Sequence, residues 1–321
     1  MKNMVPVYVI SGFLGSGKTT VLLHMLAHFK QQGLKPGIIL NELGDANVED
    51  HLFQGERVVE LLNGCICCTI QEDLKSTLDQ FIGQQIDVLI IEGTGVANPL
   101  EIKEVLLTPA YMEHFELHSM ISLVDASHYL EYQSFFNSSK EIRGLLKEQV
   151  TSAHLLILNK MDLVSEKELI KVEMKLADQL ENHVPVYRTS HGEVPLDILL
   201  EKRMHVVEVG SNRNHDDQGH HHHHHHHHHI EAVKIHIPNA INRISLEKEL
   251  KKLSKQVVRT KGLVRLDETP GLYELQYAAA TLMLNKVKED SCKQEPALIL
   301  IGKEIDEIKV EKLRESLTKK E

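Results

Sequence analysis

An apolar run, Val5–Ser11, meets an amphipathic run, Thr19–Gln31, across the octapeptide Gly12-Phe13-Leu14-Gly15-Ser16-Gly17-Lys18-Thr19. Few segments of this length restrict a fold more. The pattern G-x-x-x-x-G-K-[ST] works only where a strand turns into a helix, because its glycines must wrap backbone N–H groups around an anion at the helix's first turn. The flanking runs meet that condition. Gly12, Gly15, Ser16, Gly17 and Thr20 are therefore expected to line a phosphate site. Lys18 would reach the β- and γ-phosphates of a nucleotide, and Thr19 would ligate Mg²⁺.

The strand that this motif requires is the first of several. Val5–Ser11, Gly37–Asn41, Val58–Leu62, Val88–Glu92, Met120–Asp125, Leu155–Asn159 and Val184–Ser190 are short runs rich in Val, Ile and Leu. They show little alternation, as strands covered on both faces should. Between them, Thr19–Gln31, Leu74–Gly83, Leu100–Leu107, Ser139–Thr151 and Glu166–Gln179 have helical character. Strand–helix alternation of this kind predicts a doubly wound, mostly parallel sheet, with functional loops at the carboxyl ends of its strands.

The rhythm stops near residue 207. Residues 210–229, GSNRNHDDQGHHHHHHHHHH, contain almost nothing that could enter a core. The expected division is residues 1–207 as a nucleotide domain, 208–231 as a polar linker and 232–321 as a small α+β domain. In the last of these, strands are expected at Val233–Ile237, Val257–Leu266, Leu272–Tyr277 and Ala297–Ile301. Helices are expected at Leu246–Lys255 and from Asp306, together making a helix-backed antiparallel sheet.

Across 321 residues the formal charge is −10, which disfavours nucleic acid as a partner, since a nucleic-acid binder shows a basic face. No stretch approaches the ~18 apolar residues of a membrane span. The first residues run straight into the phosphate motif and so read as part of the fold, not as a signal peptide. Three of the four cysteines are clustered, which argues against a disulfide framework and for the reducing cytoplasm.

Asn159-Lys160-Met161-Asp162 follows an apolar strand, where the base pocket of such a domain lies. A carboxylate at Asp162 accepts guanine N1–H and N2–H₂ together, the Asn159 amide suits the acceptor edge, and the Lys160 stem can lie along the base plane. Adenine offers no such donor pair and would leave a carboxylate unsatisfied, a cost of ~1–3 kcal/mol or more. The nucleotide is therefore expected to be GTP or GDP, with Thr189-Ser190 backing the base. Asp87–Gly95 is an apolar strand that ends in Glu92 and a small-residue loop. It predicts Glu92 near Mg²⁺ or its waters and Gly95 beside the γ-phosphate. Glu42 and Asp45 are candidates for positioning water or metal. With no glutamine placed to orient water and no arginine finger, intrinsic hydrolysis should be slow.

Cys65-Ile66-Cys67-Cys68 can bring three thiolates onto one ion if the chain turns at Gly64. Soft thiolates favour Zn²⁺ or Cu⁺, with Co²⁺ geometrically similar to zinc, and a fourth ligand could be Glu42, a histidine or water. His220, His221, His222, His223, His224, His225, His226, His227, His228 and His229 form an unbroken run of imidazoles. At a terminus such a run would read as an engineered tag. Placed internally, it suggests a segment that gathers Zn²⁺, Ni²⁺, Co²⁺ or Cu²⁺ with little selectivity.

GFLGSGKTT, the NELG of Asn41–Gly44, GCICC, the Glu92-x-x-Gly loop and NKMD together resemble the CobW-type metal-handling P-loop GTPases, as does RTKGLVRL at Arg259–Leu266. The resemblance implies a P-loop GTPase domain with a smaller C-terminal α+β domain. It also implies GTP hydrolysis with Lys18, Glu42 and Glu92 in the catalytic set. Zinc, or in some branches cobalt or another metal, would be delivered to a metal-requiring client protein. Cys67 and Cys68 would be metal ligands, assisted by Cys65 or Glu42. Gly93 departs from the hydroxyl residue usual in the family's E-[ST]-[ST]-G. The sequence leaves open a homodimer, a cobalt- or nickel-insertion role, and a metal buffer with a secondary nucleotide site.

Overall fold

Val7, Val9 and Ile10 of the first strand are wholly buried, as a strand roofed on both faces must be. A computed structural model describes residues 4–40, 57–60, 70–95, 97–181, 183–209, 232–254, 256–287, 295–302 and 305–318. Two compact units emerge: Met1–Leu107 with Tyr111–Met204, and His205–Glu321 with Thr108–Ala110.

The first unit runs β1 (Val5–Gly12), α1 (Lys18–Gln31), β2 (Pro36–Leu40), β3 (Arg57–Glu60), α2 (Ile70–Phe81), β4 (Val88–Glu92) and α3 (Pro99–Leu106), after which comes the one-turn α4 (Pro109–Met112), whose first two residues are assigned to the second unit. It continues β5 (Phe115–Asp125), α5 (Tyr129–Tyr132), α6 (Lys140–Thr151), β6 (Leu155–Asn159), α7 (Glu166–Ala177), β7 (Val186–Arg188) and α8 (Leu196–Leu200). Its sheet has the order β3-β2-β4-β1-β5-β6-β7 with every pair parallel. The doubly wound character is visible within β6. Leu155 and Ile157 join a cluster with Val21, Leu22, Met25 and Phe29 of α1, while Leu156 and Leu158 join Val150 of α6 and Val172 and Leu176 of α7. At period 2, adjacent residues must face opposite layers. The helices are set by local signals as well. Ser165 and Glu168 form a reciprocal capping box at the start of α7.

β5 is longer than the apolar run that predicts it, beginning at Phe115 instead of Met120. Its first half alternates buried Phe115 and Leu117 with half-buried Glu116 and His118. That half is half-solvated, so it carries a different pattern from the fully buried strands.

The second unit runs β8 (Val206–Val209), β9 (Ala232–His236), β10 (Ala240–Ile241), α9 (Arg243–Lys252), β11 (Val257–Leu266), β12 (Leu272–Ala278), β13 (Thr281–Val287), β14 (Ala297–Gly302) and α10 (Glu307–Thr318). The sheet order is β13-β12-β11-β14-β9-β8, with β10 beside β11. Leu246 and Leu250 of α9 and Val310, Leu313 and Leu317 of α10 pack with Val233, Ile235, Leu298 and Leu300 of the sheet. The sheet is mixed and not purely antiparallel, because β8 pairs β9 and β10 pairs β11 in parallel. The expected domain boundary at residue 207 falls inside β8, whose pairing with β9 assigns it to this sheet. Among the described residues no helix is long and apolar enough to cross a membrane.

Candidate functional site

The carboxyl ends of β4, β1, β5 and β6 lie side by side, and each delivers a chemically distinct group to one edge of the sheet. β1 ends in Gly12, whose φ of +135 and tight surroundings demand glycine: a Cβ there would stand 2.3 Å from the Leu123 carbonyl oxygen. Gly15 and Gly17 also have positive φ, and a Cβ on Gly17 would stand 2.5 Å from Asn159 Nδ2. The loop tightens through a Ser16 N–H to Phe13 carbonyl bond of 3.2 Å. α1 then starts with no side-chain cap and no acid in its first turn. Its orphan N–H groups and the positive end of its dipole are left for an anion. Ser16 Oγ is buried without a hydrogen-bond partner, a further polar atom awaiting a ligand. These residues fit a nucleotide's phosphates.

Lys18 is only 9% exposed, and its Nζ donates to the Phe13 carbonyl at 3.2 Å. Thr19 Oγ1 donates to Glu92 Oε1 at 3.2 Å. This contact follows from register: Glu92 pairs with Ile10 on β1, so the end of β4 sits beside the phosphate loop. A hydroxyl and a carboxylate meeting next to an uncapped helix start are a fitting donor set for Mg²⁺. Gly95 packs against the loop so closely that a Cβ would stand 2.6 Å from the Leu14 backbone nitrogen. Its carbonyl accepts from Nε2 of Gln149 at 3.1 Å, a residue 2% exposed on α6. Gln149 lies 54 residues from Gly95 and belongs to no motif, so the sequence gives no sign of it.

On the base side the structure brings Asn159, Lys160 and Asp162 together but changes the part played by Asn159. Its Nδ2 donates to the Ser16 carbonyl at 2.9 Å, and its Oδ1 accepts from the Gly192 N–H at 3.0 Å. Asn159 is thus a brace between the phosphate loop and the loop after β7, where the sequence suggested a contact with the base's acceptor edge. Thr20 meets that same loop, its Cγ2 lying 3.2 Å from the Cβ position of Gly192. Lys160 has φ 61 and points Nζ at Asp125 Oδ2, 2.8 Å away. Asp162 is the middle residue of the short turn Met161–Leu163, and its N–H donates to Ser190 Oγ at 3.2 Å. Its carboxylate is 38% exposed, with His191 Nε2 at 3.9 Å, and stays open to a base. Thr189 N–H donates to the Leu158 carbonyl and Met161 N–H to the Thr189 carbonyl, so Thr189-Ser190 holds the turn that carries Asp162.

Asp125 completes the edge. Burial pushes its pKa up, but hydrogen bonds from Lys160 and from the Ser127 hydroxyl and N–H outweigh that and hold it below the usual carboxylate range.

Glu42, Asp45, Cys65, Cys67, Cys68 and His220–His229 lie outside the described residues. Of their surroundings, the strand ends are defined: Leu40 of β2 pairs with Glu92 on one side and Glu60 on the other. The chain therefore leaves β2 towards Glu42, and leaves β3 towards the cysteines, from the edge that carries the phosphate loop.

The chain matches the family described as CobW/HypB/UreG, nucleotide-binding domain, over residues 6–188. It matches the cobalamin synthesis protein cobW C-terminal domain over residues 230–319. It is 30% identical to the zinc chaperone YjiA of Escherichia coli over 280 residues, 84% of each chain. It is 29% identical to the zinc chaperone CobW of Pseudomonas aeruginosa over 66% of this chain and 64% of that protein. With the zinc-regulated GTPase metalloprotein activator 1 of Dictyostelium discoideum it shares 33% identity over 61% of this chain. The match spans just under two thirds of the Pseudomonas protein and 48% of the Dictyostelium one.

Proposed function

The chain belongs to the CobW/HypB/UreG family; from that premise we propose that it is a P-loop GTPase and a metallochaperone that carries zinc on Cys65, Cys67 and Cys68 and yields it to a client protein under nucleotide control. The observation that carries this reading is the contact between Thr19 and Glu92, taken with the pairing of Glu92 to Leu40. Glu92 meets the phosphate loop through its carboxylate and pairs through its backbone with the strand from which the chain runs on to Glu42. A rearrangement at the γ-phosphate can therefore be felt where the metal ligands attach.

In this account Lys18 exchanges the Phe13 carbonyl for the β- and γ-phosphates. Thr19 and Glu92 would hold Mg²⁺, which when bound neutralises charge on the transferring phosphate. Gly95, seated on Leu14 and held by Gln149, brings its loop beside the γ-phosphate position. Asp162 reads the guanine donor edge. The zinc is cargo: the thiolates hold it, the histidine run gathers it, and Glu42 is a candidate fourth ligand. The zinc-chaperone names of relatives support the choice of metal.

The test is zinc release to a chromophoric chelator. Zinc-loaded protein should surrender metal faster with Mg²⁺ and GTP than with a non-hydrolysable GTP analogue. Equal release with GTP, with the analogue and with no nucleotide would contradict the proposal.

A further inference from the structure

Asp125 is a carboxylate that no motif points to, yet it faces three groups at once. Its Oδ1 accepts from Ser127 N–H at 2.9 Å and Ser127 Oγ at 2.6 Å, and its Oδ2 lies 2.8 Å from Lys160 Nζ. His128 Nδ1 approaches Oδ2 at 3.4 Å. The carboxylate is 7% exposed and Lys160 30% exposed, so this is a largely desolvated ion pair and not a surface contact.

The backbone fixes the same two residues relative to each other. Asp125 pairs with Asn159 in the parallel register of β5 and β6, and the Ala126 N–H donates to the Asn159 carbonyl at 3.0 Å. Lys160 itself takes a left-handed conformation, φ 61, which a long side chain rarely adopts without a reason. That conformation turns the side chain from the strand direction back towards the end of β5, where Asp125 receives its ammonium group. Two residues further on, the Asp162 carboxylate stays open. The Lys160 stem is held at its charged end, beside the residue that reads the base.

We propose that Asp125 is a positioning residue for guanine-nucleotide binding, acting through Lys160: the ion pair holds the lysine stem where it covers one face of the base while Asp162 reads its edge. The inference rests on the GTPase reading and deepens it. It carries a distinct chemical signature. A residue that works through the base plane acts alike on any purine with the same flat face, whereas one that works through the base edge discriminates among them.

The test is calorimetric titration of the full chain with GDP and with IDP, which lacks the exocyclic amine. Wild type, Asp125→Asn, Lys160→Met, the double variant and Ser127→Ala are compared. Asp125→Asn keeps the shape and an oxygen acceptor for Ser127. It should weaken GDP and IDP alike, by about tenfold, the scale of coupling between contacting residues. In the Lys160→Met background the same change should alter affinity by less than about twofold, and Ser127→Ala should do the same in the wild-type background. Equal losses from Asp125→Asn with and without the Lys160 charge would overturn the inference. So would a loss confined to GDP, or an equal loss from Ser127→Ala, which would assign Asp125 to its own turn. Failure of the wild-type chain to bind either nucleotide would overturn the GTPase reading and this inference with it.

Discussion

Asp162→Asn should lower GTP affinity by about 10²-fold and bring XTP above GTP as the preferred ligand. Guanine presents two donors, N1–H and N2–H₂, which a carboxylate accepts together. Hydrogen bonds to a charged group contribute about 1.5–3 kcal/mol each, so losing both spans about 10²–10⁴-fold at 1.4 kcal/mol per decade. The lower end applies because the Asp162 carboxylate is 38% exposed and partly screened by water. Xanthine keeps N1–H but carries a carbonyl where guanine has its amine. The asparagine amide, one acceptor and one donor, matches that edge. Competition binding with GTP and XTP measures the exchange. An unchanged preference for GTP would remove Asp162 from the base pocket.

Lys18→Ala should reduce GTP turnover by about 10²–10³-fold, the scale seen when one preorganised charge-stabilising donor is removed. The lysine is 9% exposed and already folded over the loop onto the Phe13 carbonyl, so its ammonium group needs only to change acceptor to meet the phosphates. Phosphate release at saturating Mg²⁺ and GTP is the measurement, and the zinc release that GTP triggers in the wild-type chain should disappear with it. A metal buffer with an incidental nucleotide site would instead keep its zinc behaviour in this variant and lose it when His220–His229 is deleted.

The parts of this site that a sequence displays are those whose chemistry is compressed into consecutive residues. The glycines of the phosphate loop, Glu92 at the end of an apolar strand, and Asn159–Asp162 at the end of another all state their position locally, and β6 runs over Leu155–Asn159 as its apolar run predicts. Pairings made across the sheet are not visible in this way. Gln149 and Gly95 stand 54 residues apart, and Asp125 and Lys160 stand 35 apart. Only strand order and register bring them together. Asn159 shows the complementary limit, since its motif gives its place but not that both ends of its amide are engaged by backbone.

In the second unit, β13 escapes prediction for a physical reason. The hairpin between β12 and β13 turns at Ala279 and Ala280, with φ 47 and 60, where positive φ usually selects glycine or asparagine. Without that punctuation, and with Leu282 and Leu284 as a short half-buried face among mostly exposed side chains from Thr281 to Val287, no turn signal announces the strand.

The central claim is that the nucleotide sets the metal's hold. Zinc affinity should therefore be measured by competition with a chelator of known strength, in GDP and in a non-hydrolysable GTP analogue, for the wild-type chain and for Cys67→Ala. The account predicts dissociation constants that differ between the two nucleotide states by about 5- to 150-fold in the wild type, the usual range of coupling between sites, and a difference that vanishes in Cys67→Ala. A single zinc affinity in both nucleotide states of the wild type would contradict it.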